Sequence, residues 1–400
     1  MKRASRCIEE LRGKVRYFEK SGLIPTLDGP GNKILKLDSL IDKSLHRDLN
    51  RACYTLLKDQ GGNADWHPRS NDMVQNLIHP SMYNFVYDRS PFIQEEVVGV
   101  SNALNFMDEG KPVRGQSPVV RQNVFEHEWE PEFATGSGKI GSEYWSDKYQ
   151  WLPANVRFRE DGSTEFKSYV NNLHPTRFPE IYRTIESDEN DDSRTPEFSV
   201  KDFLHKDVEL THQELRDLEE ECYHESEDPV EFDEDEDQRR MNEGLPPLTP
   251  NVDDETMAES LREKFKKDGL QIIVKIASIE LTPEKPEFSA GSWHLEGQMN
   301  EKIAATALQH RVSSFKLQDP TKPGHRRFIA LWIVNPHRRI LSTANVPPQQ
   351  KDWWTGSGEM SSGLVDVEEA PEHRLKFMDE RTAEKARAHW ESIDYNFCEH

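Results

Sequence analysis

The chain has 400 residues, of which 34% are hydrophobic and 31% charged, with 51 Lys and Arg against 73 Asp and Glu for a formal net charge of −22. That length suits two or three domains, or one large domain with insertions, and so low an apolar fraction leaves part of the chain outside any packed core. The acidic balance is wrong for a general nucleic-acid binder and for a protein adsorbed on anionic membranes.

The charge is uneven. Residues 186–237 hold 23 acidic side chains against four basic ones, while the rest of the chain is close to neutral. Such a run is expected to be a solvated, largely disordered insert, with a basic protein partner for residues 186–237 as the sharper alternative. The four cysteines, Cys7, Cys53, Cys222 and Cys398, lie far apart without a CxxC pair, which argues against a zinc ribbon or disulfide framework. The N-terminus is basic but no apolar run follows, and no stretch reaches the length of a membrane span. The expectation is a soluble intracellular protein, cytoplasmic or nuclear.

In chain order, residues 1–32 end in Pro25, Gly29, Pro30 and Gly31 and read as a flexible extension. From Ile34 to Lys58 the apolar positions Leu37, Leu40, Ile41, Leu45, Leu49, Cys53 and Leu56 follow a helical period, with Asp38 or Ser39 as the cap. A second apolar set lies in 71–88, which Pro80 divides into a helix and a turn. Residues 143–182 are aromatic-rich. There "EDG" between Phe158 and Phe166 predicts a hairpin, and "RFPEIYRTIE" predicts a short helix begun by Pro179. Within the acidic insert, Thr211 and Glu214 fit a capping box. "LPPLTP" at 245–250 marks a linker. Beyond it, "LQIIVKIASIEL", "KIAATAL" and "RFIALWIV" read as strands, the last apolar on both faces and therefore central. The tail from Glu372 to Ser392 is expected to form a charged helix.

The chemistry concentrates in 291–350. In "GSWHLEG", His294 and Glu296 stand two apart. On a strand that spacing places both side chains on one face, where they can reach one metal ion. The bland reading of this pair alone is a strand histidine beside a surface glutamate. A second histidine completes a two-His-one-carboxylate triad, which leaves open positions on Fe(II), and His310 in "LQHRV" is the candidate. "PGHRRFIALW" then places Gly324, His325 and Arg326 ahead of an apolar run. It resembles the Gly-x-Arg element with which 2-oxoglutarate oxygenases hold the far carboxylate of their co-substrate. A guanidinium is suited to that task by its permanent charge and forked donors. Arg327 is the alternative anchor, and strand alternation sends it to the opposite face. His325 suits a supporting or capping role, and His337 a surface turn. His79 and His174 precede prolines; Asn171, Asn172 and His174 suit a turn, with a pocket lining as the alternative. Trp353 and Trp354 suit either a binding surface or a cover over an edge. No P-loop, G-x-G-x-x-G or G-x-S-x-G string is present.

Longer strings carry a resemblance. "LIHPSMYNFVYDRS" (77–90), "SYVNNLHP" (168–175), "LTPEKPEFSAGSWHLEGQMNEKIAATAL" (281–308), "LQHRVSSFKLQDPTKPGHRRFIALWIVNP" (308–336) and "LSTANVPPQQ" (341–350) resemble the fungal domain-of-unknown-function 4246 family over about residues 33–390. That family implies no established activity. Its motifs are in turn similar to the metal and co-substrate elements of Fe(II)/2-oxoglutarate dioxygenases, a likeness of superfamily only. It implies an α+β fold with a double-stranded β-helix (jelly-roll, cupin-like) core, an N-terminal helical region and an acidic insert. His294, Glu296 and His310 would bind Fe(II), Arg326 would bind 2-oxoglutarate, and an unknown substrate would be oxidised.

One departure stands out. In the family, several dozen residues separate the "IAATAL" strand from "LQHRV", whereas here only 13 residues lie between Glu296 and His310. Strands expected between Leu308 and Gln309 are missing, as in a splice product, a gene model with a skipped exon or a degenerate paralogue. The core is therefore expected to be incomplete, which exposes edges and apolar faces. The expected organisation is an extension (1–32), a helical and aromatic-rich part (33–182), the acidic insert and linker (183–255), the core (256–352) and a terminal helix (353–400). The rival to an enzyme is a non-catalytic protein that works through its acidic segment.

Overall fold

The computed structural model describes residues 2–25, 35–36, 41–107, 109–115, 145–161, 163–186, 261–289, 297–309, 314–356 and 363–381. The expected caps Asp38 and Ser39, the acidic insert up to residue 260 and most of the expected terminal helix lie outside them. The chain divides into two compact units, 1–40 with 190–264, and 41–189 with 265–400.

In the first unit a helix, α1 (Lys2–Ser21), precedes a two-stranded pairing of Ile24–Pro25 with Leu35–Lys36. The extension expected over 1–32 thus contains a helix. Ile8, Leu11, Val15 and Phe18 have helical spacing, and no proline intervenes before Pro25. Lys14 and Tyr17 are buried, while Leu11, Val15 and Phe18 are exposed.

The second unit is built on an antiparallel sheet of six strands, so the fold is of mixed α+β character. The strands are β1 (Val74–Ile78), β2 (Ala154–Phe158), β3 (Thr164–Phe166), β4 (Leu270–Leu281), β5 (Ile303–Gln309) and β6 (Gly324–Val334). The order is β5-β6-β4-β2-β3, with β1 also beside β4. Among the described residues the sheet is open rather than closed into a barrel. The three apolar runs near the C-terminus form the strands expected of them, and β6 lies between β5 and β4. The hairpin β2–β3 and the helix α3 (Pro179–Glu186) also lie where the turn and proline signals place them.

Two expectations shift. The helix expected from Ile34 is α2 (Lys43–Gln60), which starts later. Its cap is Asp42, whose carboxylate accepts the Leu45 N–H at 2.7 Å, and it ends at Gly61 with φ +51°. The apolar set beginning at residue 74 is a strand, not a helix. Pairing with β4, from Val74 opposite Ile279 to Ile78 opposite Ile276, overrides a local pattern that fits both periods. Two of its polar groups bond to the end of α2. Gln75 donates to Gln60 Oε1 and Gln60 donates to the Asn76 carbonyl, both at 2.7 Å.

Strand alternation sorts the core onto two faces. One face of β4 and β6, with Val274, Ile276, Ile329 and Leu331, packs with Cys53 and Leu56 of α2 and Ile181 and Ile185 of α3. The other face carries Ile273, Ala330, Trp332 and Val334 against Tyr149, Trp151 and Phe377. Phe377 belongs to α4 (Ala370–Glu380). Further along the same face Ala277, Ile279 and Phe328 pack with Phe288, Phe315 and Leu317. The sheet is thus a middle layer between helices α2 and α3 and a cover that includes α4. No described helix is long and apolar enough to cross a membrane.

Candidate functional site

β6 is paired on both sides only in part. β5 runs beside it from Ile303 opposite Val334 to Gln309 opposite Ile329, whereas β4 continues to Leu281 opposite Gly324. Among the described residues Gly324 to Phe328 therefore have a neighbour on the β4 side alone. A cavity of about 700 Å³ opens at this end, a size within the range of small-molecule sites. α2 contributes His46, Leu49, Asn50 and Cys53, spaced to share one helix face. β4 contributes Ile276 and Leu281, the stretch Phe315–Gln318 forms another wall, and Gly324–Ile329 complete it.

The lining is basic. Lys316, Arg326 and Arg327 are its cationic side chains, His46 and His325 add two imidazoles, and no described Asp or Glu lines the cavity. In an acidic chain this is a local inversion of sign, suited to an anion. The two arginines diverge as alternation demands. Arg326 lies opposite Ile279 in β4 and stacks its guanidinium 3.9 Å above the Phe315 ring. Arg327 lies opposite Ser278 and reaches α2, where its Nη1 donates to the Asn50 carbonyl and Oδ1, each at 3.4 Å. Its Nε is buried without a hydrogen-bond partner. Neither arginine forms an ion pair among the described residues. Cys53 is a free, buried thiol. Burial pushes its pKa up to about 11 against the pull of Arg327, so it stays protonated.

His294, Glu296 and His310, the candidate metal ligands, lie outside the described residues, and Arg326 is the one member of the candidate set within them. No group of three or more His, Cys, Asp or Glu among the described residues could hold a metal ion. What is described is the anchoring of the segments that carry the candidates. Glu296 precedes Gly297, whose φ is +100° and whose added Cβ would fall 2.2 Å from Ile303 Cδ1. Only glycine fits such a turn, which accounts for the Gly of the H-x-E-G string. Four residues on, Glu301 is fully buried. It accepts from the Gln298 N–H and the Trp151 N–H, both at 2.8 Å, and pairs with Arg381. Arg381 stacks on Trp151 and Phe377 at 3.8 and 4.0 Å. Chain ends converge at one further point. Ser289 and Ser314, which bound the two undescribed segments on their other sides, are adjacent to Phe288 and Phe315. Those two residues pair directly, with ring centroids 5.8 Å apart.

The remaining candidates have structural partners. His79 is buried and accepts the Ser81 N–H through Nδ1 at 3.1 Å, and burial holds its pKa well below the usual histidine value. His174 Nδ1 accepts from Arg177 N at 3.3 Å within a turn, and its ring lies 4.7 Å from that of Trp353. Asn171 donates to the Met82 and Tyr83 carbonyls. Trp353 is buried against Met107 and Leu364, a cover rather than a binding surface. His325 is exposed on β6, and exposed His337 meets the Phe265 ring edge-on at 5.0 Å. The sequence reading missed His46, Asn50, Cys53 and Lys316 as cavity residues. The helical spacing of the first three was visible, but not the strand they would face.

The model of a family described as "Protein of unknown function (DUF4246)" matches residues 1–308 and 307–357. The chain belongs to this family. The two matched segments of the family model meet at Ala307 and Leu308, where "AATAL" runs into "LQHRV". No curated protein and no solved structure matches the chain.

Proposed function

We propose that this family member is built on an incomplete jelly-roll core and is an Fe(II)/2-oxoglutarate dioxygenase-like protein acting on an unknown substrate. The observation that carries the reading is Arg326, a half-buried guanidinium at the head of a central strand, in a basic cavity, without a carboxylate partner among the described residues. An arginine so placed fits a carboxylate ligand, because a bidentate anion would satisfy its forked donors. Two imidazoles and one carboxylate, His294, His310 and Glu296, are a donor set that suits ferrous iron. The meeting of both ligand-bearing segments' ends at Phe288 and Phe315, beside Arg326, supports their assignment to one site. The break in the family match supports a segment missing between Leu308 and Gln309.

In this reading residues 256–352 carry the core. Arg326 would hold the far carboxylate of 2-oxoglutarate, with Phe315 fixing the plane of its guanidinium. Leu49, Leu281 and Phe328 would exclude water from that part of the cavity. Gly297 and the buried Glu301–Arg381 pair would fix the chain directly after Glu296. When bound, iron would let dioxygen act as the oxidant, with decarboxylation of 2-oxoglutarate to succinate and carbon dioxide supplying two of the four electrons and the substrate the other two.

The test is anaerobic Fe(II) titration followed by measurement of uncoupled 2-oxoglutarate turnover. The expected result is a single ferrous ion per chain and measurable turnover, both lost in a His294→Ala, Glu296→Ala double variant. A wild-type protein without iron or turnover overturns the reading. Specific capture of a basic partner by that same protein would favour a role for residues 186–237.

A further inference from the structure

Arg327 is in an unusual position for a permanent charge. It is half-buried between the sheet and α2; among the described residues its Nε has no partner and its two hydrogen bonds run to neutral Asn50 at 3.4 Å. Hydrogen bonds of that length are weak, and charges withdrawn from water are ordinarily paired. The nearby candidates for a counter-charge do not serve. Glu280, on the same face of β4, accepts from Ser278 Oγ at 2.6 Å and makes no ion pair with Arg327. Cys53 stays a neutral thiol. His46 lies one helical turn before Asn50, whose side chain donates to the His46 carbonyl at 2.8 Å, and both line the cavity. The helix-facing wall therefore presents a guanidinium, an imidazole and an amide to the cavity without an acid among the described residues.

We propose that this wall is a second anion site, distinct from Arg326, in which Arg327, Asn50 and His46 bind a compact oxyanion, a phosphate or carboxylate group. The site is a property of the protein without metal or co-substrate. Only its assignment to the substrate, which would then be an anionic compound, rests on the dioxygenase reading, since Arg326 would already hold 2-oxoglutarate.

The experiment titrates metal-free, full-length protein with inorganic phosphate and, separately, with acetate, at constant ionic strength in chloride. Binding is followed by calorimetry and by the shift in Tm. The expected result is saturable binding of at least one of the two that persists in Arg326→Gln, which lacks the carboxylate site proposed for the co-substrate, and that in this background is reduced at least tenfold by Arg327→Gln. Phosphate alone points to a phosphorylated compound and acetate alone to a carboxylic acid. Asn50→Asp provides a variant that keeps Arg327 but places a carboxylate against it, and it is expected to abolish binding as well. Arg327→Lys, which keeps the charge, is expected to bind more weakly than wild type and better than Arg327→Gln. Absence of saturable binding in wild type, binding undiminished in Arg327→Gln and Asn50→Asp, or equal loss in Arg326→Gln would each overturn the second site. None of these outcomes bears on iron or on 2-oxoglutarate turnover, so the two proposals fail separately.

Discussion

The two ends of β6 differ in kind. From Ile329 to Val334 the strand has neighbours on both sides and buries Ala330, Trp332 and Val334. From Gly324 to Phe328 it has a described neighbour on one side only and carries His325, Arg326 and Arg327 around the cavity. A single strand thus changes from a packing element to a site-bearing element within two residues. The first half is specified by apolar alternation, the second by charges without acidic partners among the described residues. Stability and binding should accordingly respond to substitutions at opposite ends.

The largest effect is expected at the closed end. Trp332 is 1% exposed and packs against Trp151 with ring centroids 5.1 Å apart. Trp332→Ala should cost about 3–5 kcal/mol through lost burial and the cavity it leaves, read as a lower urea midpoint. Trp332→Phe should cost clearly less, since the Trp332 Nε1 is itself buried without a partner. A Trp332→Ala protein as stable as wild type would remove the basis for calling this end the packing core.

Next comes the pair that ties the closed end to α4. Glu301 and Arg381 are 0% and 5% exposed at their side chains. Glu301→Gln leaves the guanidinium between two aromatic rings without its carboxylate, which should destabilise by about 3 kcal/mol. Because Glu301 also receives the Gln298 N–H beyond Gly297, the same variant should loosen Fe(II) binding if Glu296 is a ligand. Loss of stability with unchanged iron affinity would restrict Glu301 to the fold.

A smaller effect is expected from acid. His79, buried beside the end of β1, has its pKa held well below 6.5 by burial and by Lys275. The unfolded chain therefore takes up the proton first as pH falls. The contribution of neutral His79 is complete above about pH 6.5 and is lost progressively below it. His174 and His373 are shifted in the same direction, again chiefly by burial. The urea midpoint should fall between pH 7.5 and 5.5, and His79→Gln should flatten part of that slope. A midpoint independent of pH over this range would contradict the buried, neutral state of these imidazoles.

The contrast also explains what was legible in the sequence. β4, β5 and β6 were visible because β-branched runs such as "LQIIVKI" have few other uses, and α3 because Pro179 preorganises a first turn. β1 read as a helix because "VQNLI" is too short to separate the two periods, and its pairing partner lies about 200 residues away in the chain. The helix α1 was hidden by the Pro and Gly residues that follow it. Gly-x-Arg was legible as a motif, but the cavity was not. Its helix wall comes from His46, Asn50 and Cys53, and its strand wall from Arg326 and Arg327, with Asn50 and Arg327 277 positions apart in the chain. Local patterns specify which face a side chain takes, whereas only the assembled fold decides what that face meets.

The smallest effect on stability, and the sharpest separation of the two ends, is expected from the arginines themselves. Arg326→Gln removes a cation–π contact with Phe315 but no ion pair, and Arg327→Gln removes two long hydrogen bonds and an unsatisfied Nε. Each should change stability by no more than about 0.5–1 kcal/mol in the absence of ligand, and Arg327→Gln could be stabilising because an uncompensated charge leaves a half-buried position. In saturating anion the ranking reverses, because a ligand bound only to the folded state stabilises wild type by an amount set by its concentration relative to Kd. A large destabilisation of either variant without ligand would mean that these arginines serve the fold as Trp332 does, and the difference between the two ends of β6 would disappear.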